Sequence, residues 1–85
     1  MKKSYVTLVT LRYVYSFIEL CRTNEEGVDY TVSITRGFYR NSLVIYVQYS
    51  AFYRIEKYSF SDVNEHLRFY EDLLHDFVQQ GYEIL

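Results

Sequence analysis

The feature that most limits the fold is one amphipathic helix at the C-terminal end of a chain that otherwise has the composition of β-strands. From Val63 onward, apolar side chains recur at spacings of 4, 3, 4 and 3 residues, which is the period of a helix with one buried face. These side chains are Val63, Leu67, Tyr70, Leu74 and Phe77. Polar side chains fall on the other side, at Glu65, Arg68, Asp72, His75, Asp76 and Gln79. The pattern predicts a helix over about residues 61–80 that covers a sheet.

The residues before this helix predict a curved antiparallel sheet of three to four strands within residues 3–60. Eleven Tyr and six Phe, with no Pro, favour strands. Residues 3–21 are expected to form one long, bent strand, although residues 16–22 could instead form two helical turns. Residues 28–36 alternate apolar and polar side chains without error, which is typical of a half-buried strand. At 85 residues the chain is expected to be a single α+β domain spanning residues 1–85.

Three connections are predicted from turn-forming residues. Residues 23–27 fit a hairpin turn that closes on Gly27, and residues 37–42 fit a second turn formed by Gly37 and Asn41. Residues 43–59 contain no Gly, Pro, Asn or Asp, so one strand kinked near Ser50 and Ala51 is expected rather than two strands and a tight turn.

The helix ends carry recognisable signals. Ser59 begins a capping-box pattern that ends at Asp62, and Ser61 is an alternative cap. Gly81 is the expected stop, with Tyr82 packing back on the last turn. Ile84 and Leu85 are expected to pack against the sheet.

Catalytic and metal-binding groups are sparse. His66 lies at the border of the apolar stripe and is expected to be a structural residue, whereas His75 faces outward beside Glu71 as a surface pair. The two imidazoles lie on opposite sides of the helix, and no clustered Cys or His completes a tetrahedral site. The sequence therefore predicts no enzyme activity, no cofactor and no metal.

Charge is divided between the two parts of the chain. Residues 1–60 hold eight basic against five acidic side chains, whereas residues 61–85 hold one basic against six acidic ones. An exposed acidic face of this kind commonly serves only solubility, but it can also dock in a basic groove of a protein partner, such as one that holds nucleic-acid phosphates. The candidate binding residues are Asp62, Glu65, Glu71, Asp72 and Asp76.

Two other functions remain open at this point. Arginines interleaved with aromatic rings are typical of single-stranded nucleic-acid binders, although the acidic balance of the chain makes direct nucleic-acid binding the less favoured hypothesis. The residues concerned are Arg36, Phe38, Tyr39, Arg40, Tyr53 and Arg54. The third hypothesis is a structural homo-oligomer, of which a homodimer is the simplest form. In this oligomer, residues 43–48 would form a strand edge that pairs with another copy of the chain.

The size, element order and tyrosine content together resemble the small inhibitor proteins of phages and mobile elements, including anti-CRISPR proteins. The resemblance implies a protein that blocks a bacterial defence enzyme by occupying its surface with acidic side chains and exposed tyrosines.

The single cysteine, Cys21, cannot form an internal disulfide, and no long apolar signal segment opens the chain. A cytoplasmic location without membrane insertion is therefore expected.

Overall fold

The computed structural model describes residues 2–6, 13–39, 41–51 and 54–85, and places in them one six-stranded antiparallel sheet and one helix. Along the sheet the strands lie in the order β1-β5-β4-β3-β2-β6. The α+β class with a C-terminal helix is confirmed, but the prediction of three to four strands is wrong. The elements are β1 (Lys2–Val6), β2 (Tyr13–Thr23), β3 (Asp29–Tyr39), β4 (Ser42–Tyr49), β5 (Arg54–Phe60), α1 (Val63–Gln79) and β6 (Glu83–Ile84).

Residues 3–21 were predicted as a single strand, but the described residues in this range belong to two strands that lie towards opposite edges of the sheet. β1 pairs with β5, whereas β2 pairs with β3 and, at its other edge, with β6. Residues 7–12 lie outside the described residues. Strand propensity is a local property and cannot identify pairing partners, which is why the sequence did not separate the two strands. The strand alternative for residues 16–22 is confirmed, and the helical alternative is wrong.

The first turn forms as predicted, and its chemistry is local. Gly27 has a φ of 82°, in the region that glycine adopts without steric strain. The side-chain oxygen of Asn24 accepts hydrogen bonds from the backbone N–H groups of Glu26 and Val28, each at 2.9 Å. These bonds satisfy the turn's backbone donors and set the register of β2 against β3.

The second turn lies later than predicted, because Gly37 is part of β3. It pairs with Val14 on β2 and with Val44 on β4, and the turn falls between Tyr39 and Ser42. A register irregularity between Val14 and Ser16 lies directly across from it. A glycine inside a strand commonly marks such a bulge or a close backbone approach, so this glycine signals a bulge and not a turn.

Residues 43–59 form two strands, which corrects the prediction of one kinked strand. β4 and β5 pair from Leu43 with Phe60 to Tyr49 with Arg54, which leaves a four-residue connection at the predicted kink. Loops of this length are built around turns with negative φ and need no glycine or asparagine. In the described part of this loop, the Ser50 hydroxyl accepts a 2.9 Å hydrogen bond from the backbone N–H of Thr31.

The ends of α1 follow the predicted stop but not the capping box. Asp62 is the N-cap and its carboxylate accepts a 2.9 Å hydrogen bond from the Asn64 backbone N–H, whereas Ser59 lies within β5. Gly81 has a φ of 94°, and the backbone N–H of Tyr82 donates to the Phe77 carbonyl at 3.1 Å. The rings of Phe77 and Tyr82 lie 5.3 Å apart, which confirms the predicted contact across the stop.

The buried face of α1 is rotated by about 50° from the predicted stripe. Val63 and Leu67 are 57% and 42% exposed, whereas His66 and Phe77 are buried. The half-buried residues Phe69, Tyr70, Leu73 and Leu74 complete the contact. Together they cover a sheet core made of Leu20, Val32, Ile34, Ile45, Val47, Tyr58 and Phe60.

The other face of the sheet has a smaller buried cluster of Val44, Tyr46 and Ile55. Both clusters draw on β4, which is paired on both sides, so the prediction that residues 43–48 form an open edge is wrong. At the C-terminus, Ile84 pairs with Leu20 through its backbone, but its side chain and that of Leu85 are 56% and 74% exposed. The chain end therefore extends the sheet without entering the core, contrary to the prediction.

Candidate functional site

Three of the predicted acidic residues form a row along one flank of α1. Glu65, Asp72 and Asp76 fall within about 40° of arc on the helix and extend over about 16 Å of its length. All three side chains are exposed. We call these three residues the acidic row. Its carboxylates lie on an exposed flank of α1, away from the face that packs on the sheet core.

Asp62 and Glu71 do not belong to this row. Asp62 is exposed but serves as the N-cap of α1. Glu71 is also exposed, but it lies about 120° around the helix from the centre of the row. The helix period alone separates these two acids from the row and was sufficient to predict Asp62 and Glu71 as flanking residues, because the angle between two residues of one helix does not depend on how the helix is rotated on the sheet.

An apolar depression borders the acidic row, and the sequence analysis missed it. The depression has a volume of about 180 Å³ and is lined by Phe60, Glu65, Arg68, Phe69 and Asp72. The rings of Phe60 and Phe69 lie 5.3 Å apart, and Phe69 also packs 4.5 Å from Tyr58. Two carboxylates thus stand beside an aromatic surface, an arrangement suited to a side chain with an apolar stem and a cationic head.

The predicted basic and aromatic residues are not brought together. Arg36 and Phe38 share the helix-covered face, but Tyr39 lies on the opposite face. Along β4, the register places Phe38 six residues from the partner of Arg54, a separation of about 20 Å. Arg40 and Tyr53 lie outside the described residues. The described members of this set therefore form no continuous surface.

The basic side chains of the sheet are instead held over tyrosine rings. Arg36 lies 3.8 Å above the ring of Tyr70, and Lys57 lies 4.0 Å above the ring of Tyr39. Such pairs normally occur about once per 70–80 residues. The others are Lys3 over Tyr58, Arg22 over Tyr30 and Tyr82, and Arg54 over Tyr49. The high tyrosine content is thus used largely for internal contacts with cations.

Glu56 is the charged centre of the sheet. Its carboxylate is 3% exposed and lies 2.9 Å from the ammonium of Lys3 and 3.1 Å from the guanidinium of Arg54. The hydroxyls of Tyr49 and Tyr58 donate to its other oxygen at 3.1 and 3.2 Å. Burial alone would raise the pKa of Glu56, but hydrogen bonds from Lys3 and Tyr49 and the charge of Arg54 outweigh burial and lower it. Burial and the adjacent carboxylate raise the pKa of Tyr49 to about 12, which keeps it a neutral donor.

The two histidines have different environments, since His66 is buried and His75 is exposed. His66 is 1% exposed, and its ring meets Phe60 edge-on with centroids 5.4 Å apart. Burial and the charge of Arg36 lower the pKa of His66, so its imidazole is neutral at pH 7. His75 is exposed and lies 3.8 Å from Asp76, whereas Glu71 was the predicted partner. In the ranges that the structure describes, no three His, Cys, Asp or Glu side chains are grouped to hold a metal ion.

No family model, curated protein or solved structure matches the chain at a significant level. Within the described residues, α1 is neither long nor apolar enough to cross a membrane.

Proposed function

We propose that the protein is a non-enzymatic protein-binding domain whose acidic row docks in a basic groove of its partner. One observation carries the proposal. Five basic side chains each lie over an internal tyrosine ring, while the carboxylates of the acidic row are exposed. These basic residues are Lys3, Arg22, Arg36, Arg54 and Lys57. The exposed charge along this flank of α1 is therefore negative, although residues 1–60 have a basic excess.

The depression beside the acidic row would hold one basic side chain of the partner as an anchor. A lysine or arginine side chain of the partner would lay its aliphatic stem on Phe60 and Phe69 and bring its charged head against Glu65 and Asp72. An anchor of this kind removes apolar surface from water and pairs its charge at the same time, which is typical of the residues that dominate binding energy. Arg68 also lines the depression, so the two carboxylates leave a net charge of about −1 there for the incoming cation.

A groove that accepts this row would normally hold nucleic-acid phosphates, so occupancy by this protein would block nucleic-acid binding. We therefore propose that the protein is an inhibitor of the kind found among phage and mobile-element proteins such as anti-CRISPR proteins. Its target would be a nucleic-acid-binding defence enzyme. We place it in the cytoplasm, where such enzymes act.

The test is charge reversal of the acidic row. Each Glu→Lys or Asp→Lys change adds two charges, so Glu65→Lys, Asp72→Lys and Asp76→Lys together change the net charge from −2 to +4. The matched control reverses Glu25, Glu26 and Glu83, which are exposed and lie outside α1. Both variants and the unchanged protein are immobilised and exposed to host lysate, and bound proteins are identified by mass spectrometry.

We expect a partner that binds the unchanged protein and the control, is lost from the acidic-row variant, and is displaced by added DNA or RNA. A partner that binds the acidic-row variant equally well would show that binding uses another surface. Circular dichroism and thermal unfolding of both variants establish that they remain folded, which we expect because these side chains project away from the core.

A further inference from the structure

We propose a second binding site, for a small organic anion, in the pocket where Arg22 and Arg54 face the C-terminal end of α1. The pocket has a volume of about 240 Å³ and is lined by Arg22, Tyr30, Tyr49, Ala51, Arg54 and Tyr82. Two guanidinium groups and three tyrosine rings thus converge on one space. No acidic side chain is among its described lining residues.

The arginines are held in place by the protein. Arg22 lies between two rings, 5.5 Å from the centroid of Tyr30 and 5.3 Å from that of Tyr82, and its Nη1 donates to the Gln80 carbonyl at 3.3 Å. Arg54 lies 4.7 Å from the ring of Tyr49 and is ion-paired with Glu56. Because the side chains are already ordered, a ligand would not have to supply the free energy of ordering them.

The charges near the pocket favour an anion. Glu56 faces Lys3 as well as Arg54, so this carboxylate does not by itself neutralise both arginines of the pocket. Arg22 has a backbone carbonyl as its hydrogen-bond partner and no carboxylate among the ion pairs of the described residues. Guanidinium groups bind carboxylates and phosphates through paired, charge-assisted hydrogen bonds.

The neighbouring surface suggests the rest of the ligand. A second depression shares Tyr49, Arg54 and Tyr82 with the pocket and continues over Leu73 and Phe77, with Asp76 and Gln80 as its further polar lining. A flat ring could stack on this aromatic and apolar surface while its anionic group reaches the guanidinium groups. The ligand class is therefore a carboxylate or phosphate carried on an aromatic ring.

The test uses benzoate and phenyl phosphate as probes, with acetate and inorganic phosphate as anions without a ring and phenol as a ring without charge. Binding is followed by NMR through the Nε–H resonances of Arg22 and Arg54 and the ring resonances of Tyr30, Tyr49 and Tyr82. We expect both ring-bearing anions to shift these resonances and to bind at least about tenfold more tightly than the three comparison compounds.

Variants test the role of the charge. Arg22→Gln should weaken benzoate and phenyl phosphate binding at least about tenfold, whereas Arg68→Gln, on the exposed face of α1, should leave it unchanged. If Arg22→Gln does not fold, the resonance shifts in the unchanged protein still decide the question. Unshifted pocket resonances at millimolar probe, or equal binding of acetate and benzoate, would overturn the proposal. Failure of this site is distinguishable from failure of the acidic row, because Glu65 and Asp72 line neither the pocket nor the adjoining depression, which Asp76 alone of the row borders.

Discussion

The ammonium of Lys3 lies 2.9 Å from the carboxylate of Glu56, and this contact connects the edge strand β1 to β5 through a buried charge. Glu56 could not remain ionised at 3% exposure without such partners, because an isolated buried carboxylate is strongly disfavoured. Two cations and two tyrosine hydroxyls surround it. The sheet is therefore organised around a satisfied polar centre as well as an apolar core.

Replacement of Glu56 should be strongly destabilising. Glu56→Gln keeps the size of the side chain but leaves Lys3 and Arg54 without their counter-charge, so we expect a loss of about 2–4 kcal/mol in the free energy of unfolding. Urea denaturation at pH 7 measures it. Glu25→Gln, at an exposed turn position, is the control and should change stability by less than about 0.5 kcal/mol. Similar urea midpoints for the two variants would remove Glu56 from this role.

The same carboxylate predicts a loss of stability in acid. Because the pKa of Glu56 is lowered in the folded protein, its contribution is complete above the unfolded pKa of about 4.3 and is lost as the pH falls through the folded pKa. Other carboxylates titrate in this range, so the quantity to measure is the difference in unfolding free energy between the unchanged protein and Glu56→Gln. That difference should shrink from pH 6 to pH 2.5, and a constant difference would be incompatible with a lowered pKa.

His66 predicts a separate change nearer neutrality. Its pKa is lowered in the folded state, so the unfolded chain takes up a proton first, and stability falls as the pH decreases below about 6.5. His66→Gln should flatten this change between pH 7.5 and 5, whatever its effect at pH 7.5. His75→Gln should retain the change, because His75 is exposed. Equal slopes for the two variants would show that burial of His66 does not control its protonation.

Truncation of the helix side chains tests the observed rotation of α1. Phe77→Ala should lower the free energy of unfolding by about 3–5 kcal/mol, because the ring is 5% exposed and contacts both Tyr49 and Tyr82. Leu67→Ala should lower it by less than about 1 kcal/mol, because Leu67 is 42% exposed. Thermal unfolding decides between this orientation and the one predicted from spacing, in which both residues are buried.

The sequence was sufficient where the structure depends on local chemistry. Gly27 and Gly81 were recognisable as turn and stop residues because glycine adopts positive φ without steric strain, and both have positive φ in the structure. The helix period likewise identified α1. These features follow from a few neighbouring residues and need no information about partners in space.

The sequence was insufficient where a distant contact decides. Residue spacing placed Leu67 in the core and His66 at its border, but the structure buries His66 with its ring edge-on to Phe60 and leaves Leu67 42% exposed. Arg36 and Arg54 were predicted as one basic surface, but each lies over a different tyrosine, Tyr70 on α1 and Tyr49 on β4. No local pattern carries this information.

The most direct test of whether the exposed acids, rather than the tyrosine-bound cations, contact a partner is a salt titration with labelled single-stranded DNA and RNA. Fluorescence anisotropy at 50 mM salt and above reports binding to the unchanged protein. We predict no specific, salt-dependent binding, because Arg36, Phe38 and Arg54 form no continuous surface along the sheet and the exposed helix flank repels phosphates. Tight binding whose affinity falls steeply with salt, with a slope reduced in Arg36→Gln and Arg54→Gln, would contradict this account and favour a nucleic-acid-binding protein.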